Sequence, residues 1–239
     1  MEAGLAASRT AAQKLIAAGR VSWSGGTISK PAADLAPETQ LNVAFDPEDR
    51  FVSRGGLKLA GALAETDISP RGKLCLDVGQ STGGFTDCLL QAGASHVVGV
   101  DVGHGQLHPK LASDPRVTPL EGINCRALRP ADLRQALPDG GFALIIGDVS
   151  FISMTLILPQ LPVLLAADGD LLLLVKPQFE VGQANIGKGG IVRDPALYAE
   201  VERKLRDCAT SLELDVHGWL NSPITGGDGN REFFIWLKK

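Results

Sequence analysis

Four polar residues that lie far apart in the chain could perform chemistry together: Lys58, Asp148, Lys176 and Glu232. Asp148 and Lys176 each follow a run of apolar residues that is typical of a buried strand. Glu232 begins a final apolar run after the turn-rich segment 225–230, which predicts an antiparallel strand that starts where its parallel neighbours end. Lys58 lies in a predicted helix start that could pass over the same edge. Two lysines and two carboxylates at one sheet edge could orient a hydroxyl group and remove its proton.

A glycine-rich segment between these residues predicts a cofactor site at the same edge. The apolar run 74–78 predicts a strand, residues 79–85 predict a glycine loop, and a helical stretch follows. A second predicted strand, 96–100, leads to Asp101, whose spacing from the loop suits the ribose hydroxyls of a bound nucleoside. The pattern indicates the first half of a Rossmann-like α/β sheet, whose ligands bind at the carboxyl ends of the strands.

The loop favours one class of cofactor over another. Ser81 stands where the dinucleotide fingerprint G-x-G-x-x-G requires its second glycine, so NAD is disfavoured. S-adenosylmethionine carries no phosphate and needs a tight turn with an acid for its ribose, which Gly79 to Gly84 and Asp101 could supply. For the loop taken alone, a glycine turn in an unrelated α/β protein is the alternative.

Beside a methyl donor, the four polar residues predict attack by an alcohol. A ribose 2′-hydroxyl must lose its proton during attack, and Lys176 is the candidate base. A lysine acts as a base only when it is neutral. Lys58 would favour that state, whereas Asp148 and Glu232 would oppose it, so the sequence leaves the protonation state open.

Other methyl acceptors fit the sequence less well. Enzymes that methylate exocyclic amines usually carry Asn or Asp followed by Pro-Pro and an aromatic residue, whereas this chain has Asp-Val-Ser-Phe at 148–151. Methylation at a pyrimidine carbon needs a nucleophilic cysteine, and no cysteine lies in such a context. We therefore expect buried or incidental thiols at all four positions, and thiols without C-x-x-C spacing fit a reducing cytoplasm. The cysteines are Cys75, Cys88, Cys125 and Cys208.

Five segments together resemble the TlyA family of ribosomal RNA 2′-O-methyltransferases, which are sometimes labelled haemolysins. The resemblance covers nearly the whole chain, and TlyA proteins belong to a wider FtsJ-like group. The segments that carry it are 51–59, 77–87, 100–103, 148–153 and 176–180.

The resemblance implies an activity and a set of site residues. The Lys-Asp-Lys-Glu tetrad of the FtsJ-like group matches Lys58, Asp148, Lys176 and Glu232. The implied reaction is S-adenosylmethionine-dependent 2′-O-methylation of cytidine ribose in ribosomal RNA of the small subunit, the large subunit or both. The expected donor contacts are Asp77, Gly79, Ser81, Thr82, Gly83, Gly84, Phe85, Asp101, Asn124 and Asp148.

The amino-terminal stretch predicts a second, smaller module. Residues 7–21 predict a helix with Ser8 as its candidate N-cap and Gly19 as its stop, and a turn follows at 24–26. The module resembles an S4 RNA-binding fold whose first helix would begin before Met1, so we expect it to be clipped at its start. A solvated helix face is the alternative for its basic residues. The residues expected to contact RNA are Arg9, Lys14, Arg20 and Arg54.

The predicted organisation is an S4-like α+β module at 1–45, a linker at 46–54 and an FtsJ-like methyltransferase domain at 55–239. The 239 residues suffice for one α/β domain with a small appendage. The net charge is −4, so binding to ribosomal RNA or ribosomal subunits must rely on a local basic patch. We expect no metal site.

Two other classes of function stay open. A non-catalytic RNA-binding or assembly factor could retain the fold, although the intact tetrad argues against it. A membrane-active haemolysin is the weakest hypothesis, because the longest apolar stretch, 155–167, is broken by Pro159 and Pro162 and is shorter than the ~20 residues of a membrane helix. With no signal segment at the amino terminus, we expect a cytoplasmic protein.

Overall fold

The computed structural model divides the chain into two compact units, Met1–Asp49 and Arg50–Lys239. The boundary between them falls within the predicted linker. Ala7, at the start of the predicted amino-terminal helix, lies outside the described residues, as do the side chains of Pro47 and Glu48 in the linker. The residues that the structure describes are 4–6, 8–36, 38–44 and 46–239.

The described residues of the first unit form an α-helix and a small antiparallel sheet. Helix α1 spans Arg9–Ala17, and Ser8 caps it, because the Ser8 hydroxyl accepts a hydrogen bond from the Ala11 N–H at 3.1 Å. Gly19 follows the helix with a φ of +67°, so the predicted cap and stop are confirmed. The strands are β1 Val21–Trp23, β2 Gly26–Thr27 and β3 Asn42–Val43. They pair in the order β2-β1-β3.

The second unit is built on a seven-stranded sheet. Its strands are β4 Leu74–Val78, β5 His96–Asp101, β6 Val117–Glu121, β7 Phe142–Gly147, β8 Leu165–Val175, β9 Asp215–Asn221 and β10 Phe233–Lys238. The order is β6-β5-β4-β7-β8-β10-β9, and the first five of these run parallel. β10 is antiparallel to both β8 and β9. The sheet confirms the predicted Rossmann-like fold with a terminal antiparallel pair.

Helices cover both faces of this sheet. They are α2 Gly55–Ala64, α3 Gly84–Gln91, α4 Pro109–Ala112, α5 Pro130–Leu133, α6 Met154–Ile157 and α7 Pro195–Ser211. In β8, Leu172 and Leu174 pack in the core that contains α2 and α3, whereas Leu171 and Leu173 pack in the core that contains α6 and α7. Burial on both faces explains the continuous apolar run that predicted this strand.

The strands differ from the sequence prediction in β6, β8 and β10, and β5 ends at Asp101 rather than at Val100. β8 begins at Leu165 rather than at Asp170, and its pairing with β7 is irregular between these two residues. β10 begins at Phe233, so Glu232 directly precedes the strand. β6 is absent from the prediction because Pro119 interrupts its apolar pattern. Proline is tolerated there because β6 lies at the edge of the sheet, where the missing N–H is not needed for pairing on the open side.

Candidate active site

The glycine loop after β4 brings three strand ends together. Gly79 adopts a φ of +86°, and a Cβ there would lie 2.6 Å from the Asp148 carbonyl oxygen, so the loop requires glycine at its closest approach to the end of β7. The Gly79 N–H donates to the Val100 carbonyl at 2.9 Å, and the Ser81 N–H donates to Asp101 Oδ2 at 2.8 Å. The loop and the ends of β5 and β7 therefore meet at one edge.

A close contact between two helices places Lys58 at this edge. Gly84 begins α3, and a Cβ there would lie 3.0 Å from the backbone nitrogen of Gly56 in α2. Glycine at this position lets the start of α2 lie against the start of α3. Lys58 lies in the first turn of α2, which confirms the predicted helix start, and it is largely buried.

The four predicted catalytic residues form two ion pairs. Lys58 Nζ lies 2.6 Å from Glu232 Oε2, and Lys176 Nζ lies 2.5 Å from Asp148 Oδ1. The four side chains are between 2% and 20% exposed. A buried charge without a partner is strongly unfavourable, so each carboxylate helps to keep a lysine in the site. The structure thus brings together four residues that are widely separated in the sequence.

Three adjoining cavities meet at these ion pairs. The first cavity has a volume of 490 Å³ and is lined by Asp101 and Asp148, among others. The second cavity, of 300 Å³, is lined by Lys58, Asp148 and Lys176. The third cavity, of 360 Å³, is lined by both lysines and by Glu232. The four residues therefore line adjoining cavities, and the first of these is large enough for a nucleoside.

The wall of the first cavity suits a nucleoside. Asp101 accepts backbone N–H groups from Ser81 at 2.8 Å and from Gly103 at 2.7 Å, one on each carboxylate oxygen. Each oxygen retains a lone pair that can accept a ribose hydroxyl. Val149 and Ile152 add apolar surface that could lie against a flat base. The chemistry of this wall fits the predicted donor.

The ten predicted donor contacts fall into three groups. The first group lines the first cavity and comprises Gly79, Ser81, Asp101, Asn124 and Asp148. The second group lines the second cavity but not the first and comprises Thr82, Gly84 and Phe85. Asp77 and Gly83 line neither cavity. Gly83, with a φ of +91°, turns the chain into α3.

Asp77 lies beneath the loop rather than in a cavity wall. Its carboxylate is fully buried, and Oδ2 accepts a hydrogen bond from the Thr86 hydroxyl at 2.6 Å. The Gln80 amide donates to the same hydroxyl at 2.9 Å, whereas Asp77 Oδ1 has no hydrogen-bond partner within the described part of the chain. Burial is the main cause that raises the pKa of Asp77 to about 7, with smaller contributions from the charges of Asp148 and Asp101. The geometry gives Asp77 a place in the support of the loop.

Two residues of the site after Asp148 have no role in the sequence prediction. Lys176 Nζ donates a hydrogen bond to Ser150 Oγ at 2.8 Å, and Ser150 lines all three cavities. Phe151 is 91% exposed and adopts a φ of +64°, and its ring centroid lies 5.2 Å from that of Phe179. The one signal that could have found both residues is their position just after β7, at the carboxyl edge of the sheet.

The four cysteines are free thiols, and three of them are buried. Burial raises the pKa of Cys75 and of Cys88 to about 12 and that of Cys125 to about 11. Cys125 lines the first cavity, yet a thiol with so high a pKa is a poor nucleophile at neutral pH. This agrees with the expectation that the cysteines take no part in the chemistry.

The predicted RNA contacts differ in what they do within the protein. In the first unit, Arg9 and Lys14 are exposed on α1. Arg20 is only partly exposed, and its guanidinium group forms an ion pair with Asp49 of the same unit. Arg20 therefore supports the fold of the first unit, and its contact with RNA stays a prediction. In the second unit, Arg54 is exposed and lines the second cavity.

Comparison with known proteins identifies the family. The family model described as FtsJ-like methyltransferase matches residues 51–239. The chain belongs to this family. Because the matched range contains the glycine loop, the three cavities and all four tetrad residues, the second unit is an FtsJ-like methyltransferase domain.

Curated relatives of this FtsJ-like protein extend the similarity to the first unit. The 16S/23S rRNA (cytidine-2′-O)-methyltransferase TlyA of Mycobacterium tuberculosis is 45% identical over 235 residues, which cover 98% of this chain and 86% of that protein. The 23S rRNA (cytidine-2′-O)-methyltransferase TlyA of Campylobacter jejuni is 36% identical and covers 88% of this chain and 81% of that protein. Hemolysin A of Brachyspira hyodysenteriae is 38% identical, with coverages of 96% and 93%. The predicted resemblance to the TlyA proteins is confirmed.

Solved structures agree with the FtsJ-like assignment. A Streptococcus thermophilus protein assigned to the hemolysins is 41% identical, has a TM-score of 0.78, and covers 100% of this chain and 85% of that one. An S-adenosylmethionine dependent methyltransferase from Mesorhizobium loti is 12% identical, has a TM-score of 0.57, and covers 77% of this chain and 98% of that one, which supports the fold alone. The fold and family imply the use of S-adenosylmethionine.

Two features are absent from the described part of this FtsJ-like protein. No helix there combines the length and the apolar composition that crossing a bilayer requires. No group of three or more His, Cys, Asp or Glu side chains is placed there to hold a metal ion.

Proposed function

We propose that this chain transfers the methyl group of S-adenosylmethionine to the 2′-hydroxyl of a cytidine in ribosomal RNA of the small subunit, the large subunit or both. The observation that carries the proposal is the meeting of two lysine–carboxylate pairs between the first and third cavities. The names of the Mycobacterium tuberculosis and Campylobacter jejuni relatives support the choice of a cytidine 2′-hydroxyl in ribosomal RNA.

Each member of the tetrad has a separate task in this proposal. S-adenosylmethionine, when bound in the first cavity, supplies an electrophilic methyl group. Lys176 accepts the proton of the ribose 2′-hydroxyl, and Asp148 holds the Lys176 amino group at the boundary between the first and second cavities. Lys58 presents a positive charge to the acceptor oxygen as negative charge develops there, and Glu232 fixes the position of Lys58.

The third cavity offers a place for the acceptor nucleotide. Phe151 and Phe179 form an aromatic pair in its wall, beside Lys58 and Lys176. The left-handed φ of Phe151 is unfavourable for a bulky residue, and backbone strain of this kind is concentrated at functional sites. Exposed aromatic rings in RNA-binding sites stack on unpaired bases. The pair therefore favours an acceptor whose base is unstacked from its neighbours.

Donor binding gives a first test of the site. Replacing Asp101 with Ala should weaken the binding of S-adenosylmethionine by roughly 1.5–3 kcal/mol, because the ribose hydroxyls lose a charged hydrogen-bond acceptor. Isothermal titration calorimetry would measure this change. Asp101→Asn is the matched control, since it retains one acceptor oxygen and should lose less affinity. Unchanged affinity in the Ala variant would show that the donor ribose binds in another part of the site.

The first unit is the proposed source of additional RNA affinity, in line with the S4-like module expected from the sequence. The chain carries a net charge of −4, so RNA contacts must come from local groups. Arg9 and Lys14 are exposed on one short helix and form no ion pair with a described residue. We propose that they contact RNA phosphates, with a ribosomal subunit as the partner and the cytoplasm as the location.

Salt dependence tests this proposal. The double variant Arg9→Ala, Lys14→Ala should flatten the log-log salt dependence of ribosomal RNA binding by roughly 0.7 to 0.9 per lost contact, because fewer counterions are released. Filter binding across a salt series would measure the slope. Lys30→Ala removes another exposed charge of the same unit and serves as the control. An unchanged slope in the double variant would show that α1 presents only a solvated face.

The proposed reaction is tested most directly on RNA. Purified protein, S-adenosylmethionine with a deuterated methyl group and unmodified ribosomal subunits should yield labelled 2′-O-methylcytidine, which mass spectrometry of RNA nucleosides detects. Label on a base instead of on ribose would refute the assignment of the acceptor. RNA binding without any methyl transfer would point to a non-catalytic RNA-binding factor.

A further inference from the structure

The amino group of Lys176 has two neighbours of different kinds. Asp148 Oδ1 lies 2.5 Å from Nζ, but it accepts no aligned hydrogen bond, so this contact is chiefly electrostatic. Ser150 Oγ accepts an aligned hydrogen bond from Nζ at 2.8 Å. Within the described part of the chain, this serine is the one hydrogen-bond acceptor that the amino group reaches. The carboxylate therefore keeps the amino group nearby, whereas the serine restricts its rotation.

Rotation matters because a base must point its lone pair at the proton that it accepts. A neutral amino group has two N–H bonds and one lone pair, so fixing one N–H bond limits the directions in which the lone pair can point. Lys176 and Ser150 both line the second and third cavities. With Ser150 and Asp148 occupying two directions around Nζ, the remaining direction is the one left for an acceptor hydroxyl in these cavities.

We propose that Ser150 is a positioning residue, which aims the Lys176 amino group at the ribose 2′-hydroxyl. This inference rests on the proposed function. Before that reaction the Lys176 ammonium group of the ion pair releases a proton to solvent. The ribose oxygen then forms a bond to the methyl carbon as the carbon–sulfur bond breaks, and the hydroxyl proton passes to the neutral amino group of Lys176. Ser150 accepts an N–H hydrogen bond throughout and exchanges no atom. The role also gives a reason for the serine in the Asp-Val-Ser-Phe segment at 148–151. Enzymes that methylate exocyclic amines usually have proline at the corresponding position, and proline has no hydroxyl group.

The test compares two substitutions in the full chain. Ser150 is exposed, so Ser150→Ala should fold, and thermal unfolding would verify this. We expect the kcat of Ser150→Ala to fall roughly 10- to 100-fold, as the loss of one orienting hydrogen bond implies. The KM for ribosomal RNA and the Kd for S-adenosylmethionine should stay within about twofold of the wild-type values. Ser150→Thr retains the hydroxyl group and should recover most of the lost kcat.

Three results would overturn the positioning role. They are a wild-type kcat in Ser150→Ala, a Ser150→Thr variant that folds but is no more active than Ser150→Ala, and a loss that lies in donor affinity with kcat preserved. A wild-type protein that leaves ribose 2′-hydroxyls unmethylated in the same assay would instead refute the proposed function, and this inference with it. The wild-type measurement therefore separates the two failures.

Discussion

Replacing Lys176 with Ala should reduce methyl transfer by at least ~100-fold while S-adenosylmethionine binds as before. The loss follows from removal of the proposed base, since general base catalysis contributes roughly 10²–10⁴-fold. Donor binding should persist because Lys176 lines the second and third cavities but not the first. Single-turnover transfer of a labelled methyl group to ribosomal RNA would give the rate, and calorimetry would give the donor affinity.

Lys176→Arg distinguishes a base from a simple positive charge. Arginine retains the charge opposite Asp148 but cannot give up its proton in a protein, so it should be about as inactive as the Ala variant. An active Arg variant would show that the site needs only a cation at this position. Wild-type turnover by Lys176→Ala, on RNA that the wild type methylates, would remove Lys176 from the mechanism.

The place of this base could be predicted because parallel sheets gather the ends of their strands. The apolar runs 142–147 and 170–175 predict two buried strands, and the residues that follow them must lie at one edge if the strands are parallel neighbours. The structure confirms this arrangement, with β7 paired to β8. Glu232 reaches the same edge because β10 is antiparallel to β8. Backbone topology alone thus placed three members of the tetrad.

Contacts that depend on side-chain direction could not be predicted in the same way. The hydrogen bond from Lys176 to Ser150 joins residues 26 positions apart and depends on the path of the loop after β7. Phe151 adopts a φ that local preference disfavours, so the sequence gives no sign of it. Arg20 has the charge of a phosphate contact, but its partner Asp49 lies 29 residues further along the chain. Each of these features follows from tertiary packing.

The burial of Asp77 is another feature of tertiary packing, and it predicts how stability depends on pH. The folded protein raises the pKa of this carboxyl from its ordinary value of 3.8 to about 7, chiefly through burial. Between these values the folded protein holds a proton that the unfolded chain releases. The stabilising contribution of Asp77 is therefore complete below about pH 3.8 and is lost as the pH rises to about 7. At about 1.4 kcal/mol per pKa unit, the loss over this range is roughly 4 kcal/mol.

Asp77→Asn should remove this dependence, because an amide does not titrate in this range. The free energy of unfolding of the variant, minus that of the wild type, should rise by roughly 4 kcal/mol between pH 4 and pH 8, measured without donor. Both proteins would carry Trp23→Phe, so that fluorescence reports on Trp219 and Trp236 in the second unit. Asp114→Asn is the control, because a hydrogen bond from Arg116 lowers the pKa of Asp114 to about 2. The free energy of unfolding of this variant, minus that of the wild type, should stay nearly constant above pH 4. If the difference for Asp77→Asn is also flat, the pKa of Asp77 in the folded protein lies close to its ordinary value of 3.8, and burial does not raise it.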